Sequence, residues 1–105
     1  GLVTRNAQRS VDELCRRFDL VFDAVVTREF PVLKPHPGPV EHILVQWRLP
    51  ASEAITVGDY LFDIQSGRAA GTPTCFYQNP GCRSYAHEAD YTVRSMRQLR
   101  AILFS

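Results

Sequence analysis

The chain has 105 residues, 45% of them apolar and 22% charged, and a formal net charge of +1. That length allows at most one domain, though one able to bury a core. Scattered arginines and near-neutral charge give no basic field for nucleic acid or a membrane surface, and no apolar run approaches the roughly 20 residues that span a bilayer.

The first residues, Gly1-Leu2-Val3-Thr4, read as a strand already under way, with no initiating Met and no signal peptide. The chain is therefore expected to be a fragment or a processed form. Ser10 and Glu13 have the spacing of a capping box, and Val11, Leu14, Cys15 and Phe18 follow at helical spacing, which predicts a helix over 11–18. LVFDAVVT, residues 20–27, is short and β-branched and reads as the second strand. REFPVLKPHPGP places four prolines in twelve residues and is a loop. Pro39 then suits the first turn of a helix with the apolar stripe Val40, Ile43, Leu44 and Trp47.

AITVG is a continuous apolar strand, as expected where helices cover both faces of a sheet. LFDIQSGRAA is a helix stopped by Gly71, TPTCFYQ a further strand, and NPGCRSYAHEA a loop. ADYTV predicts an edge strand, and Ser95 with Gln98 caps a last helix carrying Met96, Leu99, Ile102 and Leu103. Strands alternating with helices predict an α/β fold with a parallel sheet. Cys15, Cys75 and Cys82 form no C-x-x-C pair, which suits free thiols in the cytoplasm or another reducing compartment.

In parallel sheets ligands gather beyond the carboxyl ends of the strands. Gly58-Asp59 closes one strand and Asp63 falls in the first turn of the following helix. Two carboxylates so placed either hold a divalent cation such as Mg²⁺, which takes one or two carboxylates plus water and phosphate oxygens, or cap the helix. Lys34, between prolines, is either a solvated side chain or a fixed ammonium that neutralises a phosphate and a carboxylate together. Thr4 offers a hydroxyl, and the Arg5-Asn6 loop offers backbone and side-chain donors suited to phosphate oxygens. His36, His42 and His87 read as structural or solvated. No Walker loop, G-x-S-x-G or G-x-G-x-x-G occurs.

In order, a strand ending in Thr4, then KPHP from Lys34, then GDYLFDIQSGRAAG from Gly58, the chain resembles the haloacid dehalogenase (HAD) superfamily of phosphatases, in its phosphoglycolate-phosphatase-like branch. The resemblance implies a Rossmann-like three-layer parallel sheet and Mg²⁺-dependent hydrolysis of a small phosphorylated metabolite through an aspartyl-phosphate. It implies that Thr4, with Arg5 and Asn6, binds the phosphoryl group and that Lys34 offsets charge on nucleophile and phosphate. Asp59 would ligate Mg²⁺, with Asp63 a second ligand or an orienter of metal-bound water.

One departure is large. The family's D-x-D-x-T/V motif, which supplies nucleophile and general acid on the central strand, has no counterpart here, and no cap is inserted between Lys34 and Gly58. Residues 1–105 are thus expected to be a partial HAD-like core, N-terminally incomplete. The strand edges on either side of the motif's strand then have three possible fates: completion by a separate segment, direct closure on each other, or completion by a second chain. The alternative function is a non-catalytic module that binds phosphate or a partner protein.

Overall fold

A computed structural model of the protein describes residues 1–104. Five short strands and four helices alternate: β1 (Leu2–Val3), α1 (Gln8–Phe18), β2 (Val25–Val26), α2 (Gly38–Trp47), β3 (Thr56–Gly58), α3 (Leu61–Ala69), β4 (Thr74–Tyr77), β5 (Tyr91–Val93) and α4 (Met96–Leu103). Single 3-10 turns lie at Ala51–Glu53 and Ala86–Glu88. All strand pairs are parallel, as the alternation predicts.

α1 starts three residues earlier than the Ser10–Glu13 spacing predicts. Ser10 lies inside the helix, and the N-cap, Ala7, has no side chain to offer. The first-turn donor is instead satisfied from across the chain: the Glu29 carboxylate accepts the Gln8 N–H (3.2 Å) and the Thr27 hydroxyl. A distant carboxylate at a helix N-terminus does the work of a local cap and favours the dipole as well. The Thr27 hydroxyl, then backbone N–H groups, hold the Glu29 carboxyl below its ordinary value of 4.5. A depressed carboxyl contributes stability that is complete above 4.5 and disappears as pH falls through the lower native value. Acid should therefore loosen the α1 N-terminus below about pH 4.5, seen as faster amide exchange at Gln8. Glu29→Gln should abolish that pH dependence, and identical acid profiles in the two proteins would exclude the cap.

Of LVFDAVVT only Val25 and Val26 enter a ladder, and Val21 is 89% exposed. Leu20 and Val21 are left exposed and no strand pairs with residues 20–23, so β-propensity there has no ladder to act on. The other elements fall close to the expected places. The α2 stripe buries Val40, Ile43 and Leu44, and Ile43 meets Ala24 and Val26 with Val3, Phe30 and Trp47 alongside. α3 ends as Gly71 predicts. With φ +88°, Gly71 donates to Arg68 O (3.0 Å), while Thr72 N–H reaches Gly67 O (3.0 Å), a Schellman closure. Ser95 Oγ accepts from Gln98 N–H (3.1 Å), the cap expected for α4, while Gln98 Oε1 accepts from Arg94 N–H (2.5 Å), one residue before the cap, in place of the reciprocal bond of a full capping box.

The five strands do not form one sheet. β1 pairs only with β2, and β3-β4-β5 form a separate sheet. Leu2 and Thr4 direct their N–H groups to Ala24 O and Val26 O, both at 2.9 Å. By alternation Val3 turns its N–H and C=O to the other side. Thr56 likewise donates toward β4, at Pro73 O, so Val57 faces outward. Between these two edges lies a slot of about 190 Å³ lined by Leu2, Val3, Ile43, Trp47, Ile55 and Val57 among others. Direct closure of the two edges, one of the three expected fates, does not occur among the described residues, where β1-β2 and β3-β4-β5 stay separate. Burial follows suit. Phe76 of β4, paired on both sides, is fully buried, whereas Val57 of β3 is 38% exposed.

Candidate active site

Beyond the carboxyl ends of β1, β3 and β4 lies an open cleft of about 530 Å³, bounded by Lys34, Gly58, Asp59, Asp63, Tyr77 and Asn79, with Val3, Val57 and Met96. It sits where a parallel sheet is expected to receive its ligand. Three sequence-predicted residues, Lys34, Asp59 and Asp63, converge here from positions up to 29 residues apart.

Lys34 is fixed rather than solvated. The proline loop carries it in from below α2, and its ammonium donates to Asp63 Oδ1 (2.5 Å) and to the unpaired Val3 carbonyl (3.2 Å). Both side chains of the ion pair are largely buried, at 15% and 16% exposure. One lysine therefore links the free edge of β1 to the first turn of α3. Asp63 spends its other oxygen on the Tyr60 N–H (3.2 Å), capping α3 from inside. Both its oxygens thus accept hydrogen bonds, and Asp63 serves here as counter-ion to Lys34 and cap of α3.

Gly58 is what lets Asp63 stand there. A β-carbon on Gly58 would come within 2.1 Å of Asp63 Cβ and 2.5 Å of its Oδ2, a clash that no rotamer relieves because the backbone itself carries the intruding atom. The Gly58-Asp59 pair thus admits the Lys34–Asp63 contact and presents the next carboxylate beyond the strand end. Asp59 is not the helix N-cap; Tyr60 holds that position. Its one hydrogen-bond partner among the described residues is the amide of Asn79, which donates to Asp59 Oδ2 (3.1 Å).

Thr4, Arg5 and Asn6 do not line the cleft, although Val3 beside them does. The Thr4 hydroxyl accepts the Asn6 N–H (3.1 Å), turning the chain from β1 toward α1. Its own proton stays available. His36 and His42 are structural: His36 Nδ1 accepts from Gly38 N–H (2.9 Å), and the His42 ring packs 5.1 Å from Phe30. Sequence reasoning missed Asn79 and Tyr77. The signal was an Asn-Pro-Gly turn directly after a strand, on the same sheet edge as Asp59.

The donors fit Mg²⁺ as far as this chain supplies them. Asp59 is a hard oxygen ligand with one oxygen unengaged, and among the described residues no cluster of three or more His, Cys, Asp or Glu stands with it. Burial pushes the Cys75 thiol above its ordinary value, and all three cysteines are free. No helix among the described residues is long and apolar enough to cross a membrane.

Comparison with known proteins identifies the family and the fold. The family model for haloacid dehalogenase-like hydrolases matches residues 1–77. A haloacid dehalogenase-like hydrolase domain-containing protein of Arabidopsis thaliana is 40% identical over 82 residues, covering 77% of this chain and 34% of that protein. Pyrophosphatase PpaX of Bacillus mycoides is 34% identical over 109 residues, covering 98% of this chain and 51% of the enzyme. The chain thus spans about a third to a half of the curated relatives it matches. A HAD-superfamily hydrolase of subfamily IA from Geobacter sulfurreducens superposes with a TM-score of 0.81 at 31% identity, over 98% of this chain and 48% of that one. A HAD phosphatase from Thermococcus onnurineus gives 0.83 at 26%, over 97% and 49%. Fold, motif order and the Lys34–Asp63–Asp59 cleft lead to one conclusion: the chain belongs to the haloacid dehalogenase-like hydrolase family.

Proposed function

We propose that residues 1–105 are the phosphate- and Mg²⁺-binding part of a phosphatase that acts on a small phosphomonoester through an aspartyl-phosphate. The observation that carries this reading is Lys34, locked between Val3 O and Asp63 in the lining of a cleft that Asp59 also lines. A fixed ammonium at that point draws in a dianionic phosphate and offsets the repulsion between it and an approaching carboxylate. Phosphoryl transfer gains chiefly from such positioning and charge stabilisation. Asp59 would hold Mg²⁺, which when bound neutralises charge on the phosphoryl oxygens. Thr4, with Arg5 and Asn6, lies next to Val3 but outside the cleft lining, and would have to turn toward those oxygens to donate to them from the β1 side.

The nucleophile would come from a strand lying in the slot between β1 and β3, on a segment outside these residues or on a second chain. Val3 and Val57 would offer it backbone groups on both sides, with the Val3 carbonyl already accepting from Lys34, and the apolar part of the slot lining suits a strand buried on both faces. Its carboxylate would attack phosphorus while the alkoxide leaves with a proton, and water would then hydrolyse the acyl phosphate. Free thiols suit a reducing compartment such as the cytoplasm.

The test is turnover of p-nitrophenyl phosphate with Mg²⁺. Residues 1–105 alone should show none. Adding a synthetic strand peptide, five apolar residues followed by D-x-D-x-T, should restore measurable hydrolysis. Robust turnover by the contaminant-free chain alone would place a nucleophile within it. A peptide that binds in the slot without restoring turnover would favour the non-catalytic module.

A further inference from the structure

We propose that Asn79 is the positioning residue of the Asp59 carboxylate, a role that rests on the reading of Asp59 as a metal ligand. A carboxylate only accepts hydrogen bonds, so the amide nitrogen of Asn79 must be the atom that faces it, at 3.1 Å from Oδ2. Nothing else among the described residues restrains the Asp59 side chain. Asn79 itself has little freedom. Gln78 N–H donates to Val93 O (2.8 Å), extending the β4–β5 ladder by one residue, so Asn79 is the first residue past the sheet. Immediately afterwards the chain reverses through Asn79-Pro80-Gly81-Cys82, with Gly81 at φ +75° and Cys82 N–H on Asn79 O (3.2 Å). Proline followed by a glycine of positive φ is the arrangement of a type II turn. The Gln78 side-chain amide clamps it, donating to Asn79 O (3.0 Å) and Cys82 O (2.9 Å).

A sheet end and a clamped turn thus hold one amide against one oxygen of Asp59, leaving the other for a cation. Exposed carboxylates sample several rotamers, and each one off target costs binding. Partners of this kind orient a ligand without touching the metal, and their loss weakens metal affinity by about tenfold or more.

The experiment uses isotope-labelled protein without metal, then with Mn²⁺ as the probe. In wild type the Asp59 Hα–Hβ couplings should report one rotamer, and Asp59→Ala should shift the Asn79 side-chain amide signals. Asn79→Ala should average the Asp59 couplings while the Gln78 and Cys82 backbone signals stay in place. Asn79→Ser, which keeps a turn-favouring residue, should behave like the alanine variant. Couplings already averaged in wild type, or still single-rotamer in Asn79→Ala, would overturn the proposal, as would a serine variant that keeps Asp59 fixed. Mn²⁺ affinity, read from the free-ion resonance, should fall about tenfold in Asn79→Ala. An unchanged affinity there would overturn the role. Absence of Mn²⁺ binding in every form would instead remove Asp59 as a ligand, with the couplings still deciding whether Asn79 positions it.

Discussion

Asp59→Asn in the intact protein is expected to lower Mg²⁺-dependent phosphatase turnover by about 10²–10³-fold, the usual scale for removing one principal electrostatic contributor to charge stabilisation. Asparagine keeps the shape but loses the charge, and Mg²⁺, which dehydrates reluctantly, holds poorly to a neutral amide. Stability should hardly change. Asp59 sits at the exposed end of β3, and substitutions at such places stay within about 0.5 kcal/mol. Turnover measured across a Mg²⁺ titration, with a thermal melt alongside, separates the two effects. Unchanged turnover with unchanged metal dependence would remove Asp59 from the mechanism.

Lys34→Ala should damage both stability and turnover. The lysine bonds a half-buried carboxylate and a backbone carbonyl on a free strand edge, so its removal strands both acceptors at once. Breaking a fully buried pair costs about 3–5 kcal/mol, and at 15% and 16% exposure solvent relieves part of that, leaving about 2 kcal/mol. Because Asp63 then has no counter-ion, Asp63→Asn should recover part of the lost stability but none of the turnover, which should stay down by about 10²–10³-fold. A double-mutant cycle in denaturant checks the first statement and phosphatase assays check the second. Additive stability effects would mean that the 2.5 Å contact carries no coupling.

Most of the fold was readable because local signals agreed with tertiary demands. The Val40–Trp47 stripe, the Gly71 stop and the Ser95 cap each encode their element within a few residues, and each reappears in the structure. The failures share a cause. At Ser10 a sound capping pattern lost to the Glu29 carboxylate, and at 20–23 strand-forming residues found no ladder to join. Both outcomes depend on what lies opposite in space. The site divides the same way. Lys34, Asp59 and Asp63 were readable through motif order and spacing, whereas the pairing of Lys34 with Asp63 and the approach of Asn79 depend on how β1, β3 and β4 are set side by side.

The slot between the half-sheets also shapes how the chain comes apart. No main-chain ladder crosses from β1-β2 to β3-β4-β5, so cooperativity between the two halves is left to α2 against α3, the Lys34 link and the Ser66 hydroxyl on His36 O at 2.8 Å. Such side-chain ties yield sooner than a continuous ladder, and β1-β2 has only two paired residues in each strand. The two halves are therefore expected to behave as separate foldons, with amides of β1-α1-β2 exchanging faster than those of the block around Ile64, Cys75 and Phe76. A strand seated in the slot would hydrogen-bond to both halves and fuse them into one cooperative unit. Occupancy of that slot would then set the rigidity of the very loop that carries Lys34.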